Sequence, residues 1–170
     1  KCGFFPDLGK CRCTPTQIRR YLNRVSGPFL DRIDIGVEVP RQDLGMMAAE
    51  KSIDEGSFPQ TEQRDSSAVM RARVMEARAR QEKRFADESI SYNSQMTRRQ
   101  IEEYCRLSGE DAVFLEKVER QQGISARGHG KILKVARTLA DLDGQAEIGR
   151  AQLAEAIGFR SFEKKYWGSL

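Results

Sequence analysis

Three of the four cysteines fall within the first 13 residues, as Cys2-x8-Cys11-x-Cys13, and Cys105 stands alone far along the chain. One residue between Cys11 and Cys13 suits ligation of a single metal ion by two thiolates better than mutual pairing. A structural zinc takes four tetrahedral donors, so Cys2, Cys11 and Cys13 are one short of a full set. Cys105 or His129 completes it only if the fold brings one of them there, and the plainer reading is a group of free thiols. Disulfide scaffolds are denser in cysteine and secreted, so the cysteine usage points to a cytoplasmic protein. The run Gly3 to Lys10 has the look of a phosphate loop but fails its chemistry. Five residues separate Gly3 from Gly9 where four are needed, Pro6 removes an amide, and Cys11 stands where a Mg²⁺-binding hydroxyl belongs.

The stretch Ser26-Gly27-Pro28-Phe29-Leu30-Asp31-Arg32-Ile33-Asp34 offers a second kind of chemistry. A Gly-Pro turn runs into a short helical turn that delivers Arg32 just before an alternating segment. Arg32 then has two readings. It is half of a surface ion pair with Asp31 or Asp34, or it is a guanidinium at a domain edge, ready to enter a neighbour's phosphate site. Arginine suits the second role because it stays ionised and offers planar paired donors. His129 sits between glycines and reads as a solvated or packed side chain, since one histidine without partners makes no metal site.

The elements that must position these groups are mostly helical. Thr14-Pro15 is a helix start, with threonine as N-cap and proline at the first helical position, and the helix should run to about Val25. Ile33–Val39 alternates apolar and polar residues and reads as a strand closed by Pro40. Residues 42–60 are net acidic, lack periodicity and read as a long loop. From Ser66 a helix places Met70, Val74, Ala77, Gln81 and Phe85 on one seam. Its other faces carry Arg71, Arg73, Arg78, Arg80 and Arg84, interleaved with Glu76, Glu82 and Asp87 as solvated ion pairs. Thr97, Ser108 and Ser125 each open a further helix; the second ends near Gly123 and the third, with Ile132, Val135, Ala136, Leu139 and Leu142, at Gly144. A last helix starts near Gly149, and Tyr166 and Trp167 are expected to dock the tail onto this bundle.

Composition bounds the rest. The 170 residues are 39% hydrophobic and 32% charged, with a net charge of +4. That supports a modest helical core and argues only weakly for a nucleic-acid partner. No stretch approaches the roughly 20 apolar residues that a membrane helix needs. The opening Lys1-Cys2-Gly3 suggests a piece of a longer protein.

The run Cys-Arg-Cys-Thr-Pro-Thr-Gln-Ile-Arg-Arg-Tyr-Leu-Asn-Arg-Val-Ser-Gly-Pro-Phe-Leu-Asp-Arg-Ile-Asp-Ile at 11–35 resembles the magnesium-chelatase-like AAA+ ATPases of the ComM/YifB type. So does Ile-Ser-Ala-Arg-Gly-His-Gly-Lys-Ile-Leu-Lys-Val-Ala-Arg-Thr-Leu-Ala-Asp-Leu at 124–142, and the pattern Val69-x-Arg71-x-Arg73-Val74-x-x-Ala77-Arg78-x-Arg80-Gln81 fits as well. The resemblance implies a mainly α chain. Residues 1–41 would end an α/β ATPase core, with Cys-rich segment and one clear strand; 42–65 would be a linker and 66–170 a helical lid. It implies that the Walker segments precede Lys1, so ATP and Mg²⁺ belong to a longer parent, a hexameric ring of identical subunits, and this chain alone hydrolyses no ATP. It implies that Cys2-Gly3 ends a Cys-Pro-Cys-Gly, with the fourth zinc ligand lying just before Lys1. It makes Arg32 an arginine finger acting in trans and Arg127 a sensor-2 residue contacting phosphates in its own subunit. The activity implied is ATP-driven migration of branched or single-stranded DNA in recombination or natural transformation. Two alternatives stand beside it: an ATPase subunit driving metal insertion into a porphyrin, and a non-enzymatic zinc-knuckle module binding DNA.

Overall fold

Serine and threonine hydroxyls set the start of most helices. The structure, a computed structural model, describes residues 2–5, 9–39, 66–160 and 166–167. Seven α-helices lie among them: α1 (Pro15–Leu22), α2 (Gly27–Leu30), α3 (Ser67–Arg84), α4 (Arg98–Tyr104), α5 (Gly109–Gln122), α6 (Ala126–Leu142) and α7 (Arg150–Gly158), with a 3₁₀ turn at Asn93–Gln95. Thr14, Ser26, Ser66, Thr97, Ser108 and Ser125 each accept a hydrogen bond from a backbone N–H of the first turn. This satisfies donors that a helix start leaves orphaned. Glycine ends α5, where Gly123 takes the left-handed conformation at φ +68° that a side chain resists.

The core gathers on α6, which packs against α3, α4, α7 and the 3₁₀ turn. Phe85, Met96, Cys105, Leu115, Ile132, Leu133, Ala136, Ala140, Ile148, Leu153, Ala156 and Ile157 form one buried cluster. Of the expected stripe of α6 only Ile132 and Ala136 are buried. Leu133, Arg137, Ala140 and Asp141 are buried too, so this helix is covered on two faces, whereas Val135, Leu139 and Leu142 stay half-buried. On α3, Ala77, Gln81 and Phe85 of the expected seam are buried, but Met70 and Val74 remain exposed.

Two expectations need correction. Residues 33–39 form no paired strand, and none occurs among the described residues. A strand needs a partner ladder, and Ile35, Val37 and Val39 are exposed beside none. The segment spends its backbone on the helical domain instead: Gly36 N–H donates to the Phe159 carbonyl at 2.9 Å, and Arg160 donates to the Ile33 carbonyl at 2.9 Å. Tyr166 and Trp167 contact the N-terminal segment, the first through Glu38 (2.9 Å) and the second through the Leu22 carbonyl (3.1 Å). The α3 arginines are not simply solvated: Arg80 and Arg84 cross to α6. The 42–65 linker lies outside the described residues.

The crossing made by Arg84 is the centre of a buried polar network. Both terminal nitrogens of Arg84 donate to the carboxylate of Asp141, one of them at 2.8 Å. Asn93 Nδ2 donates to the same carboxylate at 2.8 Å, and Arg137 lies 3.2 Å from it. Arg80 donates to the Asp141 carbonyl at 3.1 Å, and Arg137 reaches the carbonyls of Gln145 and Ala146 at 2.7 and 2.8 Å. The carboxylate is wholly shielded from solvent. Among the buried side-chain polar atoms of the described residues, Arg137 Nε alone has no hydrogen-bond partner, and the network ties α3, the 3₁₀ turn, α6 and the loop after it into one register.

Candidate functional site

Helix α2 is short because Pro28 opens it and the chain turns out after Leu30; this places Asp31 and Arg32 on its exit. Arg32 Nη1 donates to the Pro28 carbonyl at 2.7 Å and the side chain stays exposed. The surface ion pair weighed for it does not form. Asp31 instead turns to the first turn of α6, accepting from Ser125 Oγ at 3.0 Å and pairing with Arg127 at 3.4 Å. Asp34 pairs with Lys131 at 2.8 Å. Across a sequence separation of 95 residues, Arg32 and Arg127 thereby open on one cavity of about 1120 Å³ between α4, α5 and α6.

The rim of that cavity is cationic, with Arg32, Arg98, Arg127, Lys131 and Lys134, and its floor includes Ile101, Leu115 and Leu133. Carboxylates temper the charge on the α5 side: Glu119 Oε1 lies 2.7 Å from His129 Nδ1. His129 is therefore a paired side chain at the cavity wall and is not part of the Cys2–Cys11–Cys13 group. The Asp31–Arg127 pair is solvent-accessible, with the arginine side chain 60% exposed, and such pairs are worth only ~0–1 kcal/mol. An incoming phosphate can displace Asp31 from Arg127 at little cost.

The three early cysteines do come together. Cys2 Sγ lies 3.6 Å from Cys11 Sγ and 3.4 Å from Cys13 Sγ, and all three sulfurs fall within 4.8 Å of one another. A tetrahedral zinc with bonds of about 2.3 Å spaces its sulfurs at about 3.8 Å, so this donor set fits one face of a zinc tetrahedron. The backbone N–H of Phe4, with Cys13 and Cys11, holds the Cys2 thiol down at about 7, a value that favours the metal-binding thiolate. Cys11 moves the other way. A backbone N–H from Cys13 favours its thiolate, but burial, hydrogen bonds to Cys2 and Cys13 and the charge on Cys2 outweigh it. Cys105 takes no part: it is in the core, and burial pushes its thiol up to about 11. No fourth ligand joins the three among the described residues.

Asp31 and Asp141 are the residues that reading the sequence left without their roles. Asp31 stood as a partner for Arg32, when its partners lie on α6. The spacing of Arg137 and Asp141, four apart on a helix, was a local sign of an ion pair, but nothing local showed that Arg84 would join it.

The described residues thus form a helical domain preceded by a segment that holds an exposed arginine beside the first turn of α6. Comparison with known proteins gives this arrangement its family. Residues 64–160 match "Magnesium chelatase, subunit ChlI C-terminal" and residues 1–47 match "Magnesium chelatase, subunit ChlI", and the chain belongs to this magnesium-chelatase family, as a member of the ComM/YifB type. It is 41% identical over 151 residues to "Competence protein ComM" of Haemophilus influenzae, covering 88% of this chain and 27% of that protein. It is 40% identical over 153 residues to "Uncharacterized protein YifB" of Escherichia coli, covering 90% of this chain and 28% of that protein. A protein of Mycobacterium tuberculosis, "Uncharacterized protein Rv2897c", is 29% identical over 154 residues, 91% of this chain and 28% of that one. The chain thus spans little more than a quarter of the length of these relatives.

Proposed function

We propose that this chain is the finger-and-lid portion of a ring-forming AAA+ ATPase that moves DNA, with Arg32 as the arginine finger and Arg127 as the sensor-2 residue. The observation that supports it best is the presentation of both guanidiniums on one cavity, through Asp31. Phosphoryl transfer spreads negative charge over the γ-phosphate oxygens, and a correctly placed arginine accelerates it by ~10³- to 10⁵-fold. Magnesium, if present with the nucleotide in the ring-forming protein, would neutralise part of that charge. The part of this chain is to hold two always-ionised donors at the edge of the nucleotide site: Arg32, braced by the Pro28 carbonyl, toward the neighbouring subunit, and Arg127 toward phosphate once it leaves Asp31. The thiolate group would hold a structural zinc beside the same segment. The Haemophilus relative is named a competence protein, which supports DNA as the substrate, in recombination or transformation.

The name of the family favours a second reading, an ATPase that drives metal insertion into a porphyrin. ATP turnover by the ring-forming protein, with and without a four-way DNA junction, separates the two. Strong stimulation by the junction is the expected result, and indifference to DNA would transfer the weight to the second reading. Arg32→Ala in that protein should lower turnover by ~10³-fold while leaving nucleotide binding intact; loss of binding instead would make Arg32 a structural residue.

A further inference from the structure

Cys2, Cys11 and Cys13 bring three thiols into contact, and thiols in contact have a chemistry of their own. Cys2 is the common member, with its sulfur 3.4 Å from that of Cys13 and 3.6 Å from that of Cys11. A disulfide holds its sulfurs at about 2.05 Å, so the Cys2–Cys13 pair closes by a movement of about 1.4 Å. The group is also accessible. Cys2 is exposed and Cys11 and Cys13 are half-buried, whereas Cys105 is sealed in the core at 4% exposure. Thiol oxidation follows exposure, so an oxidant meets these three and not the fourth.

Chain length alone favours a different pair. Cys11 and Cys13 have one residue between them, and closing the longer span from Cys2 to Cys13 costs more entropy. The fold nevertheless sets Cys2 against Cys13, and the surroundings give a bond between them something to hold. Cys13 immediately precedes Thr14, the N-cap of α1. Phe5 lies edge-on to Tyr166 at 6.2 Å, Tyr166 lies edge-on to Trp167 at 6.0 Å, and Trp167 donates to the Leu22 carbonyl at the end of α1. A covalent link from Cys2 to Cys13 fastens the stretch that carries Phe5 to the start of α1. The ring contacts already tie it, through residues 166–167, to the end of that helix.

We infer that Cys2 and Cys13 are a redox pair that closes to a reversible disulfide under peroxide. The exposed Cys2 sulfur attacks one peroxide oxygen and breaks the O–O bond, giving a sulfenic acid and one water. The Cys13 sulfur then attacks the Cys2 sulfur, the S–O bond breaks, and a second water leaves. The two thiol protons depart in these waters; each sulfur gives up one electron and the peroxide takes both. A dithiol reductant reverses the step by exchange. The inference uses the sulfurs of the zinc reading but no metal, so either can fail alone.

The test uses the 170-residue chain, reduced, freed of metal by a chelator and treated with hydrogen peroxide, with the bond located by peptide mapping under non-reducing conditions. The native chain should lose two of its four thiols and about 2 Da of mass. It should carry a Cys2–Cys13 bond, keep Cys105 reduced, and recover all its thiols in dithiothreitol. Cys2→Ser should form no internal bond at the same peroxide dose, and Cys13→Ser should transfer the bond to Cys2–Cys11. In urea the preference for Cys2 should vanish, because loop closure alone then decides the pairing. A native Cys11–Cys13 bond, identical pairing in buffer and in urea, bonds between two chains, or sulfinic acid in place of a disulfide overturns the inference. Cobalt absorption by the reduced chain reports on the zinc reading separately.

Discussion

Replacing Asp141 by asparagine keeps the shape of the side chain and removes its charge from the point where α3, the 3₁₀ turn and α6 meet. The carboxylate receives both terminal nitrogens of Arg84, Asn93 Nδ2 and the guanidinium of Arg137, and it has no exposure to water. In Asp141→Asn two guanidiniums, 17% and 3% exposed, keep their charge without a counter-ion, and the amide nitrogen points one more donor at them. Breaking a buried pair in this way costs about 3–5 kcal/mol, a large part of the ~5–15 kcal/mol by which domains are stable. For a helical domain near 100 residues, 3 kcal/mol lowers Tm by roughly 12–24 °C. Urea and thermal unfolding followed by circular dichroism measure this directly. Adding Arg84→Met should recover part of the loss, giving a coupling energy of about 1–3 kcal/mol in the double-mutant cycle. The same carboxyl carries an acid signature. Burial alone would raise its pKa, but hydrogen bonds from Arg84 and Asn93 and the charges of Arg137 and Arg84 hold it below the ordinary value. Its stabilisation is therefore complete above about pH 4 and is lost as pH falls through the lowered folded value. Wild type should lose stability below pH 4 more steeply than Asp141→Asn. A cost under about 1 kcal/mol at pH 7, or zero coupling to Arg84, would refute the reasoning.

Other consequences follow from single positions. Cys105, with its thiol pushed up to about 11 by burial, should resist alkylation by iodoacetamide at pH 8 until the chain is unfolded, while Cys2 reacts in the native state; peptide mapping by mass spectrometry distinguishes them. Gly123→Ala forces a side chain into φ +68° and should cost about 1–2 kcal/mol in urea unfolding. Gly109→Ala, in a helical first turn with nothing within 4 Å of the new methyl group, should stabilise by about 0.4–1 kcal/mol. Cobalt titration of the chain should give sulfur-to-cobalt charge-transfer absorption that Cys2→Ser, Cys11→Ser or Cys13→Ser each diminishes and Cys105→Ser leaves intact.

What the sequence made legible was what short-range chemistry decides. Thr14, Ser66, Thr97, Ser108 and Ser125 mark helix starts because the bonds they accept lie three residues away. Gly123 marks a helix end because its conformation is a property of one residue. The gathering of Cys2, Cys11 and Cys13 was equally local. The roles proposed for Arg32 and Arg127 came from resemblance, and no pattern in the chain showed that Asp31 would reach Arg127 across the fold. The alternation at Ile33–Val39 describes side chains correctly and still yields no ladder among the described residues, because pairing belongs to the partner and not to the strand. Arg84 misled for the same reason: a cation on a charged helix face reads as solvated until the buried carboxylate 57 residues away is known.

The segment that carries Arg32 has mechanical consequences of its own. Between residues 31 and 36 it is fastened to the helical domain at Ser125, Arg127, Lys131, Phe159 and Arg160. These attachments lie on α6 and at the exit of α7, so a pull along the segment loads several of them in shear at once, whereas a chain held at one end would peel. Each bond alone is weak, yet together they join residues 31–36 to the helical domain as one piece, so that any rotation of this domain would carry the backbone of Arg32 with it.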